Sequence, residues 1–326
     1  MQSESFNDMQ HRILLLVISA IVTQTTLGQS AKQFAHSADS LYKQKQYALS
    51  FQMYKKALAL GDSAIFDLYN GACSALLAGK KSETYTFLNL SVKKGYSDVE
   101  HIKIDSDLIT LHNDSEWTKL IAKVQKNKDS IEANYDKPLM AELKQIYHDD
   151  QDIRTALISA QKKYGWHSMQ VDSLAKIMHY TDSLDLIKVT AILDEKGFIG
   201  DDKVGIYNTA LWLVIQHSDL KVQQKYLPAL REAVKNGKAK GTWLALTEDR
   251  VALREGKKQI YGSQIGMDDK TNTYYVSALE DPDNVDKRRA EVGLGPLADY
   301  AKNWNITWNV EEYKKHPPET EKPDKK

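Results

Sequence analysis

Hydrophobic and polar positions along residues 34–94 repeat with a period of 34 residues. The matching positions carry mostly small or apolar side chains and pair as follows: Ala38 with Ala72, Ser50 with Thr84, Tyr54 with Leu88, and Ala57 with Ser91. This period is the length of one helix-turn-helix unit, and small residues let its two helices approach closely. The pattern therefore predicts two stacked helical hairpins, and the segment from Asp105 to Trp117 predicts a third, degenerate unit that caps them.

Apolar residues at helical spacing continue beyond the charged segment Lys123 to Asp136. Proline, glycine and capping residues divide this half of the chain into further helices. The predicted helices are 138–163, 184–195 with Asp182 as N-cap, 204–215, one that ends at Lys235 and is capped by Ser218 or Asp219, 242–255, 283–292, and one from Pro296 toward Trp304. We therefore predict a second, helical domain over residues 130–313.

Two segments, Gln259 to Met267 and Thr273 to Leu279, flank a short polar turn. This arrangement is typical of a β-hairpin, which we predict near residues 259–279. Alternation along a strand would place Gln259 and Tyr261 on the same face. The hairpin is predicted to be the main β element of the chain.

The first repeat, from Ala38 to Leu41 through Tyr47 to Tyr54 and Ala57, resembles the tetratricopeptide consensus, and the second matches it more loosely. This resemblance implies a concave surface that binds a protein or peptide, with a spacer or dimerisation element as the alternative. The helices offer no basic clamp for a C-terminal carboxylate. The predicted fold class is mainly α, with N-terminal tetratricopeptide-like helical hairpins and a C-terminal α-helical domain that contains one β-hairpin.

The N-terminus has the pattern of a secretory signal. His11-Arg12 precedes the apolar run Ile13 to Val22, and the segment Thr23 to Gly28 follows, with small residues at Thr26 and Gly28. The run is shorter than the roughly 20 residues of a membrane span. We predict a signal peptide over residues 1–28 and export to the periplasm or the extracellular space, with an uncleaved anchor as the alternative.

Composition and charge limit the remaining classes. The chain has 326 residues with 44 basic and 44 acidic side chains, so its formal net charge is zero. Because zero net charge gives no overall attraction for a phosphate backbone, we do not expect the chain to bind nucleic acid. The single cysteine, Cys73, allows no intramolecular disulfide, and its helical context predicts a small buried side chain. The helical repeats are assigned to residues 29–129, and a disordered tail is predicted over residues 314–326.

Short polar motifs recur through the second half of the chain. They are Asp150-Gln151-x-x-Arg154, Gly165-Trp166, Gln216-His217-x-Asp219, Leu244-Ala245-x-x-x-Asp249-Arg250, Gln259-x-Tyr261-Gly262-Ser263-Gln264, Asp281-Pro282, Val285-Asp286-x-Arg288-Arg289 and Gly293-Leu294. Together they resemble an uncharacterised bacterial domain family over about residues 135–313, often found behind export signals or tetratricopeptide repeats. The resemblance implies domain boundaries and a choice of polar residues, and it implies no activity.

Polar side chains are densest between Trp212 and Arg289, and we expect them to share one pocket. The candidate catalytic residues are His217, Asp219 and Asp249, and the candidate ligand-binding residues are Gln216, Arg250, Gln259, Tyr261, Gln264 and Arg288. A helix end favours the charged imidazole of His217, and Asp219 or Asp249 could orient that ring, which is the arrangement of a general base. The same placement suits a histidine that caps helix carbonyls, and buried Asp249 and Arg250 could equally form a structural network.

Known motifs narrow the function further. The sequence has no phosphate-binding loop, no nucleophile elbow, no zinc-binding His-Glu-x-x-His and no cysteine pair. We predict no cofactor and no metal. The predicted function is an exported binding or adaptor protein, whose repeats bind a protein or peptide and whose C-terminal domain presents a pocket for a small polar or anionic ligand. The alternatives are a cell-envelope hydrolase or transferase with His217 as general base, and a purely structural assembly element.

Overall fold

The computed structural model of the chain describes residues 30–62, 64–268, 271, 273–320 and 323. The predicted signal peptide lies outside the described residues, as do residues 321–322 and 324–326 of the predicted tail. The chain divides into two compact units, with the division between Ala133 and Asn134. The predicted fold class is confirmed, since helical hairpins precede a helical region that carries one two-stranded sheet among the described residues.

The first unit consists of helices that pack against their neighbours in the chain. Its helices are α1 (residues 30–43), α2 (Tyr47–Ala59), α3 (Ile65–Leu77), α4 (Lys81–Lys93), α5 (Val99–Ile104) and α6 (Ser115–Ile131), with a 3-10 segment at Ser106–Leu111 between α5 and α6.

The residues matched by the 34-residue period are buried in the core of this unit. Their side chains are at most 2% exposed and belong to Ala38, Ser50, Tyr54, Ala57, Ala72, Thr84, Leu88 and Ser91. Small side chains allow close helix contacts here, because the Ser50 hydroxyl reaches the Ala38 carbonyl at 2.8 Å. A methyl group built on Gly71 would lie 2.7 Å from the Phe87 ring. The spacing of small residues thus corresponds to the contacts between helices.

The second unit packs around three helices, α7 (Lys137–Tyr164), α8 (Met169–Lys196) and α10 (Thr209–His217). The remaining elements are α9 (Asp201–Val204), α11 (Leu220–Lys235), α12 (Gly241–Arg254), α13 (Val285–Glu291), α14 (Leu297–Lys302), α15 (Val310–Lys315), and 3-10 turns at Gly205–Asn208 and Pro282–Asn284. The core side chains come chiefly from α7, α8, α10 and α11. These helices place polar residues at their crossings.

The predicted start of the helix after Asp182 is wrong. Helix α8 runs without a break from Met169 to Lys196, and Ser168 is its N-cap. Asp182 lies in the middle of α8, where both of its carboxylate oxygens accept hydrogen bonds from Arg154 at 3.0 Å. An aspartate favours a cap on local grounds, but here a partner on another helix provides its hydrogen bonds.

The predicted β-hairpin is confirmed but shorter than expected. Strands β1 (Ile265–Asp268) and β2 (Thr273–Val276) pair antiparallel. Residues 259–264 are not a strand, so the expected alternation of Gln259 and Tyr261 on one face is wrong. Gly262 has φ +67°, and the backbone amides around it turn toward the carboxylate of Asp249. A long-range carboxylate therefore determines the path of this loop.

The tail prediction also changes at its start, because α15 continues to Lys315. Its Tyr313 hydroxyl accepts from the amide of Leu279 at 2.7 Å and donates to the carbonyl of Ser277 at 3.1 Å. Within the described ranges, no helix combines the length and the apolar character that crossing a membrane requires.

Candidate functional site

A buried carboxylate and a histidine meet where α7 crosses the end of α10. Asp150 on α7 is 1% exposed, whereas the side chain of His217, the last residue of α10, is 24% exposed. His217 Nδ1 lies 2.8 Å from Asp150 Oδ1. Asp150 therefore fixes the orientation of an imidazole ring that still reaches solvent.

Asp150 is held by two further donors. Arg154 lies 3.0 Å from its Oδ1, and Gln151 donates to its Oδ2 at 2.6 Å. Burial acts to raise the pKa of Asp150, but the hydrogen bond and charge of His217, with smaller contributions from Gln151 and Arg154, outweigh it and leave the pKa below its ordinary value. Asp150 is thus a charged acceptor at neutral pH.

His217 opens into a cleft of about 220 Å³. The polar residues that line this cleft are Asp150, His179, Asp182, Ser183, His217, Ser218 and Asp219. They come from α7, α8, the end of α10 and the start of α11. We call this group the dyad cleft, after its pair of Asp150 and His217.

The two serines of the dyad cleft do not bond His217. Ser218 donates to the carbonyl of Ile215 at 2.7 Å, and Ser183 donates to the carbonyl of His179 at 2.8 Å. Neither hydroxyl is therefore arranged as a nucleophile activated by this imidazole. A catalytic role for His217 would act on water or on a hydroxyl of a bound molecule.

Asp219 lines the dyad cleft but does not orient His217. Its Oδ1 accepts from the amide of Val222 at 2.8 Å, so it is the N-cap of α11. Asp249 also lies elsewhere, and Asp150 is the carboxylate that bonds the histidine. The expected orienting residue is thus replaced by one 67 positions earlier in the chain, which the motif Asp150-Gln151-x-x-Arg154 contained.

Asp249 instead anchors the loop before β1. Its carboxylate accepts from the amides of Ile260 at 2.7 Å, Tyr261 at 2.9 Å and Ser263 at 2.9 Å. Burial raises the pKa of Asp249, and these amide donors oppose the rise without cancelling it. Its fully buried oxygens are occupied by backbone amides, so its role is structural.

The remaining candidates surround Asp249 in a network that we call the brace: Gln216, Asp249, Arg250, Gln259, Tyr261, Gln264 and Arg288. Arg250 donates to the Gln216 carbonyl at 2.7 Å and to Gln264 Oε1 at 3.3 Å. Gln259 Nε2 donates to the Gln264 carbonyl at 3.0 Å. Most of these bonds end on backbone atoms, which is typical of a structural network.

The two remaining members of the brace, Tyr261 and Arg288, also make hydrogen bonds within the protein. The Tyr261 hydroxyl donates to Glu248 at 3.3 Å, and Arg288 donates to the Ile260 carbonyl at 2.9 Å and the Glu280 carbonyl at 2.7 Å. These contacts, together with an ion pair to Asp281 at 3.2 Å, occupy the Arg288 guanidinium and do not support its prediction as a ligand-binding residue.

The expectation of one shared pocket is therefore wrong. His217 and Asp219 line the dyad cleft, and the other seven candidates form the brace. The two groups meet at the end of α10, since Gln216 bonds the brace and the next residue, His217, lines the cleft. Among the described residues, the ligand atoms close enough to share a metal ion belong to Cys73, Asp105 and Asp107 in the first unit.

Comparison with known proteins places the second unit in a family. The model of a family described as a family of unknown function (DUF6624) matches residues 137–310. No curated protein and no solved structure matches the chain. The matched region runs from α7 to the first residue of α15 and contains both the dyad cleft and the brace.

Proposed function

This chain belongs to that family of unknown function, and we propose that its second unit carries out general acid–base catalysis in a hydrolase or transferase reaction. His217 is the base and Asp150 the residue that orients it. The single observation that carries the proposal is the 2.8 Å contact between His217 Nδ1 and the buried carboxylate of Asp150, at the wall of an open cleft.

The dyad has the chemistry that such a role requires. Because Asp150 accepts from Nδ1, the proton of a neutral His217 stays on that nitrogen, and Nε2 is left as the basic atom. An ionised, buried carboxylate also stabilises the imidazolium that forms when Nε2 takes a proton. Arg154 holds Asp150 and Asp182 in position across α7 and α8.

The proposed step uses water or a substrate hydroxyl as the nucleophile, because both cleft serines donate to backbone carbonyls. Nε2 of His217 removes the proton as the oxygen attacks an electrophilic centre. The bond between the electrophilic centre and the leaving group then breaks, and the imidazolium gives the same proton to that group, so that the dyad ends in its starting state.

The environment of this reaction is proposed from the first unit and the N-terminal sequence. Export to the periplasm or the extracellular space makes a cell-envelope substrate the candidate.

The first unit, whose repeats resemble tetratricopeptide units, is proposed to bind a protein or peptide partner. Stacked helical hairpins and buried small residues at the repeat positions support this role. A pull-down in which a chain that lacks residues 30–125 keeps every partner would contradict it.

Substitution of the dyad tests the catalytic proposal. We expect His217→Gln and Asp150→Asn to lower turnover by roughly a hundredfold to ten-thousandfold, the usual contribution of general acid–base catalysis. The measurement is hydrolysis of chromogenic esters, phosphates and glycosides by the purified protein.

His148→Gln is the matched control, since this exposed histidine of α7 pairs with Asp152 at 3.5 Å and does not line the cleft. It should keep the full rate. The proposal fails if no class of substrate is turned over above the His217→Gln background, or if all three variants lose the same fraction of activity.

A further inference from the structure

A second cavity, of about 480 Å³, lies wholly within the first unit. Its walls come from α1, α2, α3, the start of α5 and the 3-10 segment after α5. The residues on which the inference rests are three tyrosines and three aspartates: Asp39, Tyr42, Tyr54, Tyr69, Asp105 and Asp107. We call it the tyrosine cavity.

Each tyrosine of this cavity donates its hydroxyl to an aspartate. Tyr54 bonds Asp39, Tyr42 bonds Asp107, and Tyr69 bonds Asp105 at 2.7 Å. Burial, and next the contact with a carboxylate, raise the pKa of all three tyrosines, so they remain neutral donors. The hydroxyls hold the carboxylates in place without neutralising their charge.

The three carboxylates have no positively charged partner among the residues that the structure describes. Within the described ranges, none of Asp39, Asp105 and Asp107 makes an ion pair, although aspartates elsewhere in the chain do, such as Asp114 with Lys81 at 2.7 Å. Lys43 is the one lysine among the residues that line the cavity. The cavity therefore carries an excess of negative charge in a chain whose total charge is zero.

We propose that the tyrosine cavity receives a lysine or arginine side chain of a peptide segment of the partner. This inference rests on the proposed partner-binding role of the first unit and names the chemistry of its ligand. An ammonium or guanidinium group donates charge-assisted hydrogen bonds to the carboxylates, and its aliphatic stem packs on the tyrosine rings. The ring faces add cation–π attraction.

Charge complementarity favours this occupant over an acidic segment. A carboxylate-bearing ligand would face three aspartates, and such like-charge contacts reduce affinity. The basic residues of the lining are Lys43 and His101, and the His101 Nδ1 lies 3.0 Å from the Tyr96 hydroxyl. A metal ion is the competing occupant, because ligand atoms of Cys73, Asp105 and Asp107 lie within 4.8 Å of one another. Burial raises the pKa of the Cys73 thiol, which donates to Asp105 at 3.7 Å, so it is poorly prepared as a thiolate ligand.

The test measures binding of three small probes to the full-length chain by calorimetry and saturation-transfer NMR. The probes are Nα-acetyl-lysine amide, Nα-acetyl-arginine amide and the uncharged Nα-acetyl-norleucine amide. We expect the two basic probes to bind, the norleucine probe to bind at least about tenfold more weakly, and added salt to weaken the basic probes.

Variants locate the binding. Asp39→Asn and Asp107→Asn should each weaken the basic probes about tenfold, because each removes one charge while keeping a side chain that can still bond its tyrosine. Asp129→Asn is the matched control, since it removes the same charge from exposed Asp129 on α6 and should leave affinity unchanged. Circular dichroism confirms that the variants are folded, and the salt dependence of the unaltered chain gives a second test that needs no variant.

Three results would overturn the inference: equal binding of the norleucine probe, unchanged affinity in both cavity variants, or zinc binding that Cys73→Ser abolishes and that displaces the basic probes. The first two leave the pull-down test of partner binding and the dyad activity unaffected, because probe binding is measured without a partner protein or a substrate. If the basic probes bind but the chain that lacks residues 30–125 keeps every partner in the pull-down, the partner-binding role is refuted instead.

Discussion

At the scale of single residues, burial separates the two aspartates that the dyad cleft and the brace depend on. Asp150 is buried against the His217 imidazole, the Gln151 amide and the Arg154 guanidinium, and these contacts lower its pKa. Asp249 is buried against backbone amides, and its pKa is raised by burial. A sequence pattern marks both as polar residues near apolar helix faces, but only the tertiary partners distinguish an orienting carboxylate from a loop anchor.

Replacing Asp249 should destabilise the second unit strongly. Asp249→Ala leaves the amides of Ile260, Tyr261 and Ser263 without their acceptor, and each unsatisfied buried donor costs roughly 1–3 kcal/mol. We expect a loss of about 3–5 kcal/mol in the free energy of unfolding, measured with urea. Glu142→Ala on the exposed face of α7 should change it by less than about 0.5 kcal/mol, and equal effects of the two variants would count against the anchoring role.

Ionisation of Asp150 makes the free energy of unfolding depend on pH. Its pKa in the folded chain lies below the unfolded value, so its stabilising effect is complete above about pH 4 and is lost as the pH falls through the folded pKa. We expect Asp150→Asn to be less stable than the natural chain at neutral pH, with a difference that shrinks below about pH 4. Urea unfolding across this pH range measures it, and a difference that stays constant with pH would refute the ionised state of Asp150.

At the scale of elements, the sequence predicts features that depend on neighbouring residues better than features that depend on contacts between distant residues. Asp136 before Pro138 and Asp219 before α11 both act as N-caps, and such caps are readable from neighbouring residues. Local spacing does not predict the structure at Asp182 or over residues 259–264, because the hydrogen bonds there join Asp182 to Arg154 and the loop amides to Asp249. For the same reason His217 was predictable as a candidate, and its partner Asp150 was not.

The close approach of α3 and α4 should tolerate no larger residue at its narrowest point. Gly71→Ala places a methyl group 2.7 Å from Phe87, whose ring already packs edge-on against Phe51. Overpacking costs roughly 1–3 kcal/mol, more than the gain of about 1 kcal/mol from a better helix former. We expect a lower melting temperature, whereas Gly295→Ala, with no atom within 4 Å of the new methyl group, should have little effect. A melting temperature at or above that of the natural chain would contradict this packing.

At the scale of the whole molecule, the two units differ in the character of their polar cavities. The tyrosine cavity has three carboxylates and no ion pair for them among the described residues, whereas the dyad cleft balances Asp150 and Asp182 against Arg154. The fold class was readable from hydrophobic periodicity. The division of the nine candidate residues between the dyad cleft and the brace is not, because it depends on tertiary contacts such as Asp150 with His217 and Asp249 with the loop amides.

Export is the prediction that concerns the chain as a whole. If the N-terminal pattern is a cleaved signal, expression in a Gram-negative host should give a periplasmic protein whose first residue is Gln29. Intact-mass measurement of the periplasmic fraction checks this. A chain recovered only from the cytoplasm, with its N-terminal residues intact, would refute export and with it the proposed envelope substrate.

The last turn of α10 connects the brace to the dyad cleft through two consecutive residues, Gln216 and His217. One carbonyl is gripped by Arg250, and the next side chain carries the reactive ring. Arg250 also donates to Gln264, which follows Ser263 in the loop that Asp249 anchors, so hydrogen bonds connect this turn to that loop. Asp150 orients the ring, while the Arg250 contact holds the backbone from which the ring projects, so we expect a substitution in the brace to displace His217 without contacting it.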